Sequence, residues 1–244
     1  MLHPRHVIAT LALAASSALI AGCASGTTPN STPDPLASSD TAGSVEAEVE
    51  AAWLDDGSAI GILTYGSSTC LPTVGDSGYA DGVLTVELVD SDDVACTRDF
   101  VPRGVYVPLP EEVDPTADLD VVVTGSSSGQ TEVAGDADLE GKGGGLVEGA
   151  PSAGWAGDDV FLLLTWGSST CPPLIGGAVA TAPNEVTVTI EPLPAEQPCT
   201  ADFGARVSVV AVEGLGDDDG GERIEAVLDG DPFDALRIPI AGSR

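Results

Sequence analysis

The feature that most limits how this chain can fold is that most of it is written twice. Thr64-Tyr65-Gly66-Ser67-Ser68-Thr69-Cys70 returns as Thr165-Trp166-Gly167-Ser168-Ser169-Thr170-Cys171. Cys96-Thr97-Arg98-Asp99-Phe100 returns as Cys199-Thr200-Ala201-Asp202-Phe203. Upstream, Trp53 before Asp55-Asp56 matches Trp155 before Asp158-Asp159, and downstream Val133-Ala134-Gly135 matches Ile240-Ala241-Gly242. Order and spacing hold with only small insertions, so both copies must fold alike.

Each copy reads as β structure. In the first, Val49–Leu54 and Ser58–Tyr65 flank Asp55-Asp56-Gly57, a hairpin turn signal. Residues 83–89, 105–109, 119–124 and 130–134 follow with Val and Thr in alternation. The second copy supplies 160–166, 185–191, 207–213, 224–228 and 236–240. Val45–Glu50 alternates but is built of helix formers, and its counterpart near 146–153 contains Gly149 and Pro151, which favours an extended segment. The expected fold is all-β: two tandem repeats of a small antiparallel β-sandwich or barrel-like domain, each with one disulfide. Copy one spans residues 45–135 and copy two 150–244, with the Gly-rich, charged stretch 136–149 as linker.

Residues 1–22 read as a signal peptide, with basic Arg5 ahead of an apolar run from Val7 to Ile20. The run ends in Leu19-Ile20-Ala21-Gly22-Cys23, which resembles the lipobox of bacterial lipoproteins. That resemblance implies cleavage before Cys23 and diacylglyceration of its sulfur. A second acyl chain makes such anchoring stable. Residues 23–44 then form a Ser-, Thr- and Pro-rich tether with a reach of roughly 25 Å.

Four further cysteines remain. The repeat selects Cys70–Cys96 and Cys171–Cys199, because each copy then carries the same bridge. Export favours their persistence, and each bridge contributes roughly 3–4 kcal/mol on the chain-entropy model. A four-cysteine zinc site lacks the close ligand pairs it needs.

The formal net charge of −31 repels phosphate backbones, which excludes nucleic acid as a partner. Both histidines, His3 and His6, fall in the signal peptide, so triad and histidine-metal chemistry is closed to the mature chain. The single lysine, Lys142, lies in the linker, and no phosphate-cradling or dinucleotide motif is present. No cofactor and no catalytic residue are expected. Asp136-x-Asp138-x-Glu140-Gly141 begins like a calcium loop, but Val147 stands at its twelfth position and the acid follows at Glu148. Asp217-Asp218-Asp219-Gly220 reads as a solvated turn.

Two repeated elements are candidate binding sites. Tyr65 and Trp166 head the Gly-Ser-Ser-Thr-Cys segments, as stacking groups or as ends of strands that the cysteine staples. Arg103 and Arg206 follow Asp99 and Asp202 at the same spacing, although only seven basic residues remain once Arg5 is removed. An internal ion pair or hydrogen bonds to loop carbonyls is one account, and presentation to an anionic ligand the other. Phe100 and Phe203 are expected to be core anchors.

These segments resemble the tandem domains of uncharacterised actinobacterial lipoproteins that carry WGSSxCP and CTxDF elements, over roughly residues 45–244. Copy one departs from the pattern in having Leu71 before Pro72, whereas Cys171 is followed directly by Pro172. The resemblance carries no activity. The expected function is a non-enzymatic binding or interaction module, lipid-anchored on the outer face of the cell membrane. Its partner would be an envelope protein, glycan or small molecule, and the membrane is met only through the N-terminal lipid. The alternative is a carboxylate-dependent hydrolase of extracellular glycans.

Overall fold

Alternation and continuous apolar runs are both present in the sequence, and they separate into different layers. A computed structural model describes residues 48–90, 95–141, 149–216 and 223–244. Copy one forms β1 (Glu50–Leu54), β2 (Ala59–Gly66), β3 (Thr73–Ala80), β4 (Val83–Val89), β5 (Val101–Pro108), β6 (Leu119–Gly125) and β7 (Gly129–Val133). Copy two repeats them as β8 (Ser152–Trp155), β9 (Val160–Gly167), β10 (Leu174–Ala182), β11 (Glu185–Glu191), β12 (Gly204–Ala211), β13 (Glu225–Asp229) and β14 (Leu236–Ala241). Both copies use the same strand orders. Sheet β1-β2-β5 matches β8-β9-β12, and β3-β4-β6-β7 matches β10-β11-β13-β14.

In β4, Leu84, Val86 and Leu88 point inward while Thr85 and Glu87 are exposed, the pattern of a strand with one wet face. By contrast, β2 and β9 are buried along nearly their whole apolar length, so both their faces are covered. One face of β1-β2-β5 brings Trp53, Ile62 and Val107 against Leu84, Leu88 and Val123. Copy two builds the same core from Phe161, Leu163 and Val210 against Val188, Ala226 and Leu228. The other faces of the two three-stranded sheets meet each other through Ala52, Leu54 and Leu63 against Leu162 and Leu164. Four sheet layers therefore follow one another in a solenoid-like stack. Each fully buried leucine in the middle layers contributes about 1.5–3 kcal/mol.

Equivalent residues face each other across that middle junction. A Cβ on Gly61 would lie 2.6 Å from Leu162 Cδ1, and Leu162 is its counterpart. A Cβ on Gly104 would lie 2.4 Å from the matching Val207, and one on Gly154 would lie 3.1 Å from the matching Ala52. Meeting of like with like is the mark of a two-fold relation between the copies. At each of these places one copy supplies glycine and the other a larger group.

The antiparallel expectation needs correction, because the sheets are mixed. Strands β4 and β6 pair in parallel, as do β11 and β13. The cause is the crossover between them: after β4 the chain visits the other sheet as β5, then returns in the same direction as β6. In copy two, β14 also pairs in parallel with β8 through Ile240↔Ala153 and Ala241↔Gly154, which joins both its sheets into one of seven strands.

Part of the expected linker is woven into the fold. Leu139 is buried in the first core, and Asp136 accepts from Arg223 at 2.7 Å and from the Gly242 N–H at 2.9 Å. Arg223 also holds Asp138 at 2.7 Å, so both leading carboxylates of the calcium-like stretch grip a guanidinium. Cys23, Lys142, Val147, Glu148 and Asp217–Gly220 lie outside the described residues. Among those described, no helix is long and apolar enough to cross a membrane.

Candidate functional site

The duplicated motifs come together at the end of β2 and, in copy two, of β9. Strand β2 runs antiparallel to β5 with Tyr65 opposite Pro102, and β9 to β12 with Trp166 opposite Ala205. Beyond each pair the Gly-Ser-Ser-Thr loop must fold back and satisfy its polar groups. Thr97 does this for copy one: its N–H donates to Thr69 Oγ1 at 3.0 Å, and its hydroxyl lies 2.8 Å from Ser67 Oγ and donates to Asp99. Asp99 in turn accepts from the Ser68 N–H at 3.1 Å. Copy two repeats the knot with Thr200, Thr170, Ser168, Asp202 and Ser169. Hydrogen bonds from the Ser68 hydroxyl, the Thr97 hydroxyl and the Ser68 N–H hold the Asp99 carboxyl down at about 2. Their counterparts do the same for Asp202, also at about 2.

Disulfides Cys70–Cys96 and Cys171–Cys199 close the knots, as the repeat predicts, with Cα–Cα separations of 5.4 and 5.5 Å. Such bridges suit a protein that folds in an oxidising compartment.

The arginines lie beneath these loops. Arg103 donates to the Cys70 carbonyl at 2.7 Å and to the Tyr65 carbonyl at 3.2 Å. Arg206 donates to the Cys171 carbonyl at 2.6 Å and to the Trp166 carbonyl at 2.7 Å. A planar fork can reach both ends of the turn at once, which a lysine cannot. This also accounts for the glycine after each aromatic: a Cβ on Gly66 would lie 2.5 Å from Arg103 Cζ, and one on Gly167 would lie 3.0 Å from Arg206 Cζ. Presentation of Arg103 to an anionic ligand is corrected by its burial, at 5% exposure, with its guanidinium 3.9 Å from Asp90. Arg206, whose pKa is lowered by burial, has its fork spent on the same carbonyls. Both are positioning residues.

The phenylalanines are not core anchors. Phe100 is 65% exposed and Phe203 68%. Position explains the correction: Phe100 precedes the first residue of β5 and Phe203 that of β12, so each ring lies beyond the sheets that would cover it. There each ring stacks on the aromatic of the neighbouring strand end. Tyr65 stacks on Phe100 at 5.6 Å and 20°, and Trp166 on Phe203 at 5.9 Å and 18°. Each copy thus displays one two-ring platform, its backbone fixed from below by arginine and from the side by a disulfide.

Sequence reasoning singled out Tyr65 and Trp166, Arg103 and Arg206, and the four cysteines as separate elements, and the structure brings them together, one set per copy. It missed the display of Phe100 and Phe203, which depends on where β5 and β12 begin. Comparison with protein-family models, curated proteins and solved structures gives no match.

Proposed function

We propose that the chain is an exported, lipid-anchored envelope protein whose twin aromatic platforms bind an envelope protein or glycan, without catalysis. In this reading each copy is one three-on-four-stranded sandwich unit, akin to the actinobacterial lipoprotein repeats it resembles. Cys23 carries the lipid, and residues 23–44 hold the platforms away from the bilayer.

One observation carries the reading: each copy leaves its phenylalanine about two-thirds exposed, at the same place, on a loop fixed by every device the motif contains. Aromatic rings with few rotatable bonds lose little entropy when they are covered, which is why they are enriched at recognition surfaces. A chain with only 4% aromatic residues has few to leave in water without use. The surrounding hydroxyls are committed to the loop, so recognition falls to the rings themselves.

The test compares capture from envelope extracts by the wild-type chain and by Phe100→Ala/Phe203→Ala. Both rings are exposed, so the double variant keeps its melting temperature. The reading expects a partner that the wild type recovers and that the variant binds about tenfold or more weakly, a loss of about 1.4 kcal/mol or more. Equal recovery by both proteins removes the platforms from the account. The anchor is tested separately, since Cys23→Ser should abolish palmitate labelling and release the protein from the membrane.

A further inference from the structure

The way the two copies cross decides where their platforms lie. At the centre of the junction Leu162 packs against Gly61, its Cβ 3.4 Å from where a Cβ on Gly61 would sit. Four residues further along β9, the Trp166 ring meets the Tyr106 ring edge-on at 5.7 Å and 73°. Tyr106 is the β5 residue directly opposite Gly61. Over those four residues β9 therefore moves sideways, from β2 to its neighbour, and does not run along β2. The two three-stranded sheets cross at a wide angle, as in orthogonal sheet packing.

This crossing sends the end of β2, with Tyr65, and the end of β9, with Trp166, out on either side of the place where β5 meets β12. There Gly104 packs against Val207, its match, so the two-fold relation passes through that contact. Strands β5 and β12 are the outer strands of their three-stranded sets, so neither set continues between the platforms. Each aromatic lies four residues from the crossing point, about 13 Å along its strand. Two such legs at a wide angle, in layers about 10 Å apart, put the platforms roughly 20 Å from each other.

Each platform alone is small. A phenylalanine side chain with about two-thirds of its surface exposed offers roughly 130 Å², against about 800 Å² per partner in a stable protein interface. The flat C–H face of a sugar ring matches that size. Two equal sites at a fixed spacing suit a ligand that offers the same face again and again, as a polymer of repeated units does. The net charge of −31, with Asp99 and Asp202 next in the chain to the displayed rings, repels an anionic polymer.

We infer that the two platforms grip one strand of a neutral glycan, which crosses the β5–β12 edge to reach both. The inference rests on the reading of the platforms as the recognition surface and adds the ligand's class and its single-strand, two-point contact.

Calorimetric titration of the folded chain with the disaccharide and the hexasaccharide of β-1,4-linked N-acetylglucosamine tests it. Two disaccharides should bind per chain. Only one hexasaccharide should bind, about tenfold or more tightly, because its second contact forms within the complex. Phe100→Ala or Phe203→Ala alone should bring the hexasaccharide down to about the affinity of the disaccharide, of which one should still bind. Two hexasaccharides per chain, a gain in affinity that either single variant keeps, or no binding of either sugar would each overturn the inference. Unchanged sugar binding by Phe100→Ala/Phe203→Ala would instead strike the platform reading beneath it.

Discussion

Replacing Arg206 by methionine keeps most of the side-chain volume and removes the fork beneath the second platform. Its bonds to the Cys171 and Trp166 carbonyls, at 2.6 and 2.7 Å, are charge-assisted and contribute about 1.5–3 kcal/mol each. Against this stands the buried Arg206 Nε, which has no partner and costs about 1–3 kcal/mol. Taking the middle of each range, the net loss is about 2.5 kcal/mol, which in a domain of this size lowers the melting midpoint by about 5–10 °C. Urea unfolding followed by tryptophan fluorescence measures the first quantity, and calorimetry the second. Hydrogen exchange at the Ser169 and Thr200 amides should speed up with them, because both bonds hold the loop that carries those groups. Arg206→Lys should recover less than half of the loss, since a single ammonium cannot meet two diverging carbonyls. A loss below about 0.5 kcal/mol, the ordinary range for surface substitutions, or full rescue by lysine would refute the reasoning.

Two further predictions concern the junction and the knots. Gly61→Ala brings a methyl against Leu162 Cδ1 and Leu54 Cδ1 and should cost about 1–3 kcal/mol by urea unfolding. Leu162→Ala should offset part of this, with a coupling of about 0.5–3 kcal/mol; strict additivity would mean that the copies do not meet there. Asp99 and Asp202 are held at about 2, below their ordinary 3.8, so their ionised forms stabilise the fold. That stability is present above the unfolded-state value and drains away as pH falls from about 4 toward about 2. Asp99→Asn/Asp202→Asn should flatten the fall in equilibrium unfolding across that window, and an unchanged slope would contradict the hydrogen-bonded knot.

The duplicated motifs made the bridges legible, because only one cysteine pairing repeats itself. Strands rich in alternating Val and Thr, such as β4 and β11, were equally plain. Two matched strands, β3 and β10, were not read at all. Thr73–Ala80 contains Gly75 and Gly78, and Leu174–Ala182 contains Gly176 and Gly177, a composition that signals turns. Both are edge strands with largely exposed residues, so hydrogen bonding to β4 and β11 defines them more than burial does. The face-to-face junction was hidden for another reason: the apolar runs of β2 and β9 announce burial on two sides but do not name the second cover. Phe100 shows the limit of reading hydrophobicity as burial, because its display depends on lying just outside β5, a boundary composition does not mark.

The most direct test of the platforms' role places a photo-crosslinking amino acid at position 100, at position 203, and at exposed Val179 as a control, in the full chain made by living cells. Irradiation should give one discrete adduct of the same mass shift from 100 and 203, and none from 179. Products indistinguishable among the three positions, or none from either phenylalanine site, would contradict the claim that the repeated rings form the recognition surface.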